Sequence, residues 1–330
     1  MKSKLFTLLY LMVLPNLMGQ TIIQNIGDEV PQQVESIYEK GLAYLSKTQS
    51  PKGNWGNSNT EGITSLCILA YFAHGEEPNF GVHSGVIKRA VKYLLGIQRE
   101  TGMIGNSMYH HSYATLALAE CYGSLMEPKL GPALEKAVAL ILKSQDNNRL
   151  GVWRYSPDST NDGDTSVAGA CLVALLAARN AGLGIPQKNI DRALSYFKRC
   201  QGDDGSFGYT KRGSGNMART AIGTLVFAVG RRRNEAAYKK AVEYISKNVD
   251  STGAGEHNYS YMIYYQAQAY FQSDMTNWWD WNKRQIATIK RAQAKDGGIY
   301  LSDTNGAEFS TAMSLLSLAL NFRYLPIYER

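Results

Sequence analysis

Six short polar clusters stand immediately before apolar runs. They are Glu61 before Thr64; Tyr109, His110 and His111 before Ser112; Asp162 and Asp164 before Thr165; Asn216 and Arg219 before Thr220; His257, Asn258 and Tyr259 before Tyr261; and Glu308 before Ser310. The set mixes carboxylates, imidazoles, phenols and a guanidinium, the side chains that move protons in general acid–base catalysis. Asp162 and Asp164 are the candidate acids. A polysaccharide lyase or hydrolase site can use an Arg or His beside a carboxylate, with aromatic faces as platforms for the sugars. Arg219, His111, Asp164, Trp55, Trp153 and Tyr155 supply those types. Each residue also has a plainer use. Asp at the start of an apolar run caps a helix through its carboxylate, which suits Asp164. Neighbouring His110 and His111 cannot face one direction on a helix, so they read as a packing pair and not a metal site. Cys67, Cys121, Cys171 and Cys200 form no CxxC pair, and Cys67 and Cys171 sit inside apolar runs as buried thiols do. No metal and no cofactor is expected.

The elements that carry these clusters recur. Gly41-Leu42-Ala43-Tyr44-Leu45 leads to Gln49, Ala90-Val91-Lys92-Tyr93-Leu94 to Gln98, Ala137-Val138-Ala139-Leu140-Ile141 to Gln145, and Ala193-Leu194-Ser195-Tyr196-Phe197 to Gln201. Ala241-Val242-Glu243-Tyr244-Ile245 leads to Val249, and a weaker sixth copy leads to Gln293. In each unit the first half is amphipathic, as in Ile190, Ala193, Leu194 and Phe197 with Asp191, Arg192 and Lys198 between them. The second half, as in Ser166 to Ala178, is apolar nearly all round, which is the pattern of a buried helix. One wet and one dry helix in each of six units predicts an all-α, α/α toroid of six helical hairpins, with an inner and an outer ring. The last unit is too apolar to be the capping repeat of an open solenoid, so the ring is expected to close. Residues 36–330 form this one toroid, after an extension over 20–35.

Residues 1–19 read as a cleavable export signal. A basic start at Lys2 and Lys4 precedes an apolar stretch from Leu5 to Leu14 that Pro15 breaks, too short for the ~20 apolar residues of a stable anchor. The mature chain is expected outside the cytoplasm, without stable membrane insertion. Net charge is +7, and loss of Lys2 and Lys4 leaves +5. The single basic run, Arg231-Arg232-Arg233, suits a solvated helix end and falls short of a nucleic-acid surface. No protein partner is identifiable. Trp278-Trp279-Asp280-Trp281 is expected before the sixth outer helix, as a staple from the last unit to the first or as an exposed aromatic patch.

A second signature joins the two halves of a unit. Gln49 is followed by Gly53 and Trp55, and Gln201 by Gly205 and Phe207. Gln98 with Gly102 and Ile104, Gln145 with Gly151 and Trp153, and Gln293 with Gly297 and Ile299 are variants. These units resemble the Gln-Trp repeats of the terpene cyclase and protein prenyltransferase superfamily, the squalene-cyclase-like toroids. The resemblance implies a central cavity for an apolar or glycan ligand. It also implies an acid in class II cyclases, which carry Asp-x-Asp-Asp-Thr where this chain has Asn161-Asp162-Gly163-Asp164-Thr165. Aligned on Asp164-Thr165, the protonating Asp becomes Gly163. The prenyltransferase zinc set has no counterpart, because Cys171 lies seven residues after Asp164 without a His. Ligand binding without alkene protonation is therefore the expectation. The alternative is a divergent enzyme, a cyclase acting on a polyene or a polysaccharide lyase or hydrolase. The residues expected at the ligand are Glu61, His110, His111, Arg219, His257, Tyr259, Glu308, Trp55, Trp153 and Tyr155.

Overall fold

The computed structural model describes residues 30–249 and 258–328. Among these residues the secondary structure is helical, with two isolated antiparallel bridges, Gln201 to Phe207 and Gln293 to Ile299. The outer helices are α1 (Gln32–Thr48), α3 (Ser84–Ile97), α5 (Leu130–Asn147), α7 (Gln187–Cys200), α9 (Ala236–Lys247) and α11 (Met275–Ala292). The inner helices are α2 (Thr60–Ala73), α4 (Met108–Cys121), α6 (Thr165–Asn180), α8 (Met217–Val229), α10 (Tyr259–Ser273) and α12 (Ala307–Leu318). Each inner helix packs on the next, and α12 packs back on α2, so the inner ring is closed. The fold is an α/α toroid. It starts four residues before Ser36: α1 begins at Gln32, and Val34 is fully buried.

Burial follows the two hydrophobic patterns. α7 buries Ile190, Ala193, Leu194 and Phe197 and leaves Lys198 and Arg199 to solvent. α6 buries every residue from Val167 to Ala178. Such a helix has no polar face to satisfy outside, so it can only sit between other helices.

Five glutamines join one unit to the next by the same pair of bonds. The side-chain amides of Gln49, Gln98, Gln145, Gln201 and Gln293 donate to the carbonyls of Gly53, Gly102, Gly151, Gly205 and Gly297 at 2.9–3.0 Å. Each also donates to a carbonyl in the early turns of the following outer helix: Val86, Ala133, Asn189, Ala237 and Ile37, at 2.8–2.9 Å. The last of these runs from α11 to α1 and seals the ring. All five glycines are left-handed, with φ between 67° and 95°. At Gly205 a Cβ would lie 2.3 Å from the Lys240 carbonyl oxygen, and at Gly297 2.2 Å from that of Lys40, so only glycine fits.

Trp55, Trp153 and Phe207 follow these turns and are buried at the base of the inner helices. The indoles of Trp55 and Trp153 donate back to the Leu45 and Ile141 carbonyls at 2.7 and 2.8 Å, near the end of their own outer helix. Phe207 packs edge-on against Phe197 and stacks on Phe227, at 5.6 and 6.2 Å between ring centres.

The tryptophan cluster departs from expectation. Trp278, Trp279 and Trp281 lie inside α11, not before it. Trp278 packs on Phe271 and Trp281 on Tyr270, both in α10. The cluster therefore ties the sixth unit to the fifth, not to the first. The three Trp fall before the helix only when the Asp that precedes them is missed as its cap. Asp274 accepts the Thr276 and Asn277 amides and starts the helix there. The four cysteines are free and buried.

Two substitutions test this packing by urea denaturation. Phe207→Ala should cost about 3–5 kcal/mol, as other buried aromatic truncations do. Gln293→Ala removes two hydrogen bonds at the seam and should cost about 1–3 kcal/mol. A loss under about 0.5 kcal/mol for Gln293→Ala would show that the amide does not hold the ring together.

Candidate functional site

The amino ends of the inner helices converge at one end of the ring and enclose a cavity of about 250 Å³. Its wall comes from Gly62, Ile63 and Leu66 of α2, Tyr109, His110 and Tyr113 of α4, Ser166 of α6, Tyr261 of α10, and Phe309 and Met313 of α12. The rim carries Asn59, Tyr155, Asn258, Thr304 and Asn305. Asn59 donates to Asn305 at 3.3 Å, and Thr304 donates to Asn258 at 3.2 Å. Helix amino ends carry partial positive charge and unpaired N–H groups, so this end of the ring favours electron-rich ligands.

Phenols dominate the floor. The Tyr109, Tyr113 and Tyr265 hydroxyls form a chain with steps of 3.1 and 2.9 Å. The Tyr261 ring lies 6.4 Å from Tyr109 and 5.0 Å from Tyr265. Burial raises the phenol pKa values of Tyr109 and Tyr113 well above the usual 10, and that of Tyr261 to about 12, so all three are neutral donors and acceptors. Tyr113, Tyr261 and Tyr265 were not among the sequence candidates. The available signal was the composition of α10, where Tyr259, Tyr261, Tyr264, Tyr265 and Tyr270 fall on a helix that is buried on most sides.

Glu61 and His110 meet at the cavity wall, with Oε1 of Glu61 3.0 Å from Nδ1 of His110. A carboxylate only accepts, so Nδ1 carries the proton and Nε2 is left as the acceptor of the neutral ring. The His110 hydrogen bond, opposed by burial and helped by the Asn106 amide, lowers the Glu61 pKa from 4.5 to about 2. Nε2 of His110 has no hydrogen bond among the described residues.

His111 does something else. It is fully buried, its Nδ1 accepts the Ile104 amide at 3.1 Å, and its Nε2 donates to the Ala137 carbonyl at 3.1 Å. Thr64, Thr220 and Thr311 accept the amides of Trp55, Phe207 and Ile299 in the same way. His111 thus fills the structural position that threonine takes in three other units, away from the cavity. Burial lowers its pKa from 6.5 to about 4.

Asp164 caps α6, accepting the Val167 amide at 2.8 Å, and is fully buried. Its charge partner is Arg154, at 3.0 Å, and not Arg219. Burial raises its pKa against the pull of the Val167 amide and Arg154. Asp162 is largely exposed and lies 3.2 Å from Nε of Arg154. Gly163 is buried, and a Cβ there would stand 2.3 Å from Val152, so the position aligned with the cyclase acid points into packing and not into the cavity. The Arg154 guanidinium lies over Tyr155 and Tyr209, at 5.3 and 5.1 Å from the ring centres. Tyr155 is 46% exposed on the rim, and its hydroxyl is 3.1 Å from that of Tyr209. Arg219 also lies over Tyr209, 5.9 Å from its ring centre, and its Nε donates to the Phe207 carbonyl at 3.4 Å.

The ring thus brings His110 and Tyr155 to the cavity, with Glu61 behind His110. Among the described residues it does not bring the remaining candidates there. Trp55 and Trp153 are sealed under the inner helices and offer no face to a ligand. Tyr259 is buried and donates to Gln285 at 3.0 Å. Arg219 and Glu308 do not line the cavity. His257 lies outside the described residues. Among these residues no group of His, Cys, Asp and Glu converges as a metal site.

No family model matches the chain. Solved structures of the same fold do. An inactive variant of an alpha-1,6-mannanase of glycoside hydrolase family 76 from Salegentibacter sp., in complex with alpha-1,6-mannotriose, superposes with a TM-score of 0.67 at 11% identity, over 87% of this chain and 99% of that one. A family 76 mannosidase from Bacteroides thetaiotaomicron gives 0.66 at 11%, over 88% and 98%. A type II terpene cyclase from Scytonema, in complex with geranylgeranyl dihydroxybenzoate, gives 0.63 at 14%, over 89% and 99%. At these identities the likeness establishes the shared toroid, which hosts several chemistries.

His111 and Glu61 predict separate acid transitions in stability. The unfolded chain takes up the His111 proton near pH 6.5, the folded chain near 4. Stability from this group is therefore full above pH 6.5 and falls as the pH drops toward 4, by about 2 kcal/mol between 6.5 and 5. His111→Thr should flatten that part of the profile. The Glu61 contribution is present above pH 4.5 and falls toward 2, so Glu61→Gln should change only the lower part. Urea midpoints measured from pH 7 to 3 check both; a slope above pH 5 that survives in His111→Thr assigns it to another group.

Proposed function

We propose that this chain is an exported toroid protein that binds a short, neutral glycan, one or two sugar units deep, in the tyrosine-lined cavity. The observation that carries this reading is the composition of the wall. Beside the apolar Ile63, Leu66, Phe309 and Met313 it offers phenol faces, amides, hydroxyls and one imidazole, and among the described lining residues no carboxylate. Aromatic faces with a few placed polar groups suit a sugar, whose C–H face stacks while its hydroxyls exchange hydrogen bonds. The volume of about 250 Å³ is below the ~300–1,000 Å³ of pockets that enclose drug-sized ligands. That argues against burying a long polyprenyl chain. The mannotriose bound by the Salegentibacter mannanase is the natural first probe. Export rests on the leader read over residues 1–19, ahead of the toroid whose first helix begins at Gln32. No helix of the described residues is long and apolar enough to cross a membrane.

The Glu61–His110 pair favours a second reading, an enzyme acting on the same glycan. Glu61 fixes the His110 tautomer and leaves Nε2 as a base, as an acid–base mechanism requires.

Calorimetric titration with a panel of neutral oligosaccharides that includes alpha-1,6-mannotriose tests binding. Saturable heat is expected, with affinity falling about three- to tenfold in Tyr155→Ala for the lost stacking face. Saturation by geranylgeranyl dihydroxybenzoate and by none of the glycans would reverse the assignment. Release of reducing ends that falls ~100-fold in His110→Gln, at unchanged melting temperature, would favour the enzyme.

A further inference from the structure

At the opposite end of the ring lies a second cavity, of about 450 Å³, between the carboxyl ends of α6 and α8 and the short 3-10 turn Pro326–Tyr328. The length of an inner helix, roughly 24 Å for α6, separates it from the tyrosine cavity. Its charged wall is Arg179, Arg231 and Arg233, with Asn180 and Ile327 beside them.

Among the described residues none of the three pairs with a carboxylate. Arg179 reaches the Gln187 amide oxygen at 3.3 Å, and Arg233 donates to the Gln272 amide oxygen. The buried Nε of Arg233 has no hydrogen-bond partner among the described residues. Arg232, between them in sequence, turns away and pairs with Asp191 at 2.7 Å and Glu235 at 3.6 Å. A helix carboxyl end attracts one cation through its dipole. Three guanidinium groups in one concavity repel each other beyond what that accounts for. Burial, and then the neighbouring Arg231 charge, push the Arg179 pKa down, and no acidic group among the described residues offsets them.

The backbone at Arg231 carries a cost of its own. α8 ends in a Schellman turn, in which the Arg231 amide bonds to Ala228 at 3.0 Å and the Arg232 amide to Phe227 at 2.8 Å. The left-handed residue of such a turn is usually glycine, and Gly75 and Gly182 hold it after α2 and α6. After α8 it is Arg231, with φ 60°, although Gly230 stands one residue before. The arrangement spends conformational energy to place a cation at the cavity.

We propose that this cleft is a binding site for a tetrahedral oxyanion, a phosphate or sulfate, free or as a monoester, held between the Arg179, Arg231 and Arg233 guanidiniums. Guanidinium forks match such oxygens with paired hydrogen bonds.

The full chain is titrated with inorganic phosphate, inorganic sulfate and glucose 6-phosphate, at ionic strength matched with sodium chloride, by calorimetry and thermal denaturation. A saturable rise in melting temperature with the oxyanions and none with chloride is expected. The tighter of phosphate and glucose 6-phosphate shows whether the free ion or the ester is the better ligand. Arg179→Gln and Arg231→Asn should each weaken phosphate about tenfold or more. Asparagine tolerates the left-handed turn, so the second change removes the charge and keeps the backbone. Arg232→Gln and Tyr155→Ala should leave the phosphate affinity within twofold, which separates this site from the glycan cavity. A flat response overturns the proposal. So does weakening by Arg232→Gln equal to that by Arg231→Asn, or indifference to both cavity substitutions.

Discussion

One amide group sets the spacing of the ring. The glutamine that ends an outer helix spends both of its N–H donors at once, on the carbonyl of the glycine four residues on or, for Gln145, six, and on a carbonyl of the next outer helix. The glycine itself presses against a carbonyl of that same helix, one turn beyond the first contact: Val86 and Arg89, Ala133 and Lys136, Ala237 and Lys240, Ile37 and Lys40. The turn therefore lies flat along the neighbouring helix at a fixed height. Everything above it inherits that height. The aromatic or aliphatic wedge is placed under the inner helix, and its amide is met by Thr64, His111, Thr220 or Thr311. The amino ends of the inner helices are thereby held at a common level, and a polar cavity forms where they converge.

At that level one residue step on a helix separates structure from chemistry. His110 and His111 are neighbours, yet a step of about 100° points one toward Glu61 and the cavity and the other toward the wedge backbone. Their partners fix opposite tautomers, with the proton on Nδ1 in His110 and on Nε2 in His111. Asp164 and Arg154 show the same economy. One carboxylate closes the end of α6 and also holds the guanidinium that lies over the Tyr155 and Tyr209 rings at the rim. Losing that carboxylate would loosen a helix end and a cavity wall together.

The glutamine–glycine–aromatic units were legible in the sequence because each part answers a backbone requirement that recurs at nearly constant spacing. So were the wet and dry helices, since burial on one side or on all sides leaves a periodic trace. The Asp164 cap was legible for the same reason. What the sequence hid were the contacts made across the ring. No spacing in the sequence marks Arg154 as the partner of Asp164; the turn between them places it there. Trp55 and Trp153 have the composition of sugar platforms, and only their burial removes them from that role. The spacing from wedge to acceptor varies, from Ile104 to His111 and from Phe207 to Thr220, so no fixed register marks His111 as the counterpart of threonine. The phenol chain of Tyr109, Tyr113 and Tyr265 joins helices 152 residues apart in sequence and has no local signature.

The Gln293 bond to Ile37 spans 256 residues, and the Tyr38 hydroxyl reaches Leu315 across 277. Every other glutamine bridges fewer than fifty, as Gln145 does to Asn189 across 44. Closing the longer loop from a disordered chain costs about 1.5 kcal/mol more by polymer entropy alone. The four nearer joints are therefore the cheaper ones to close, and the arc they form brings its own ends together. Before it latches, the molecule is an open bracelet whose first outer helix and last inner helix expose faces that the finished ring conceals. A second chain caught in that state presents the same two faces, so the final latch is also the point at which intramolecular closure competes with exchange of units between chains.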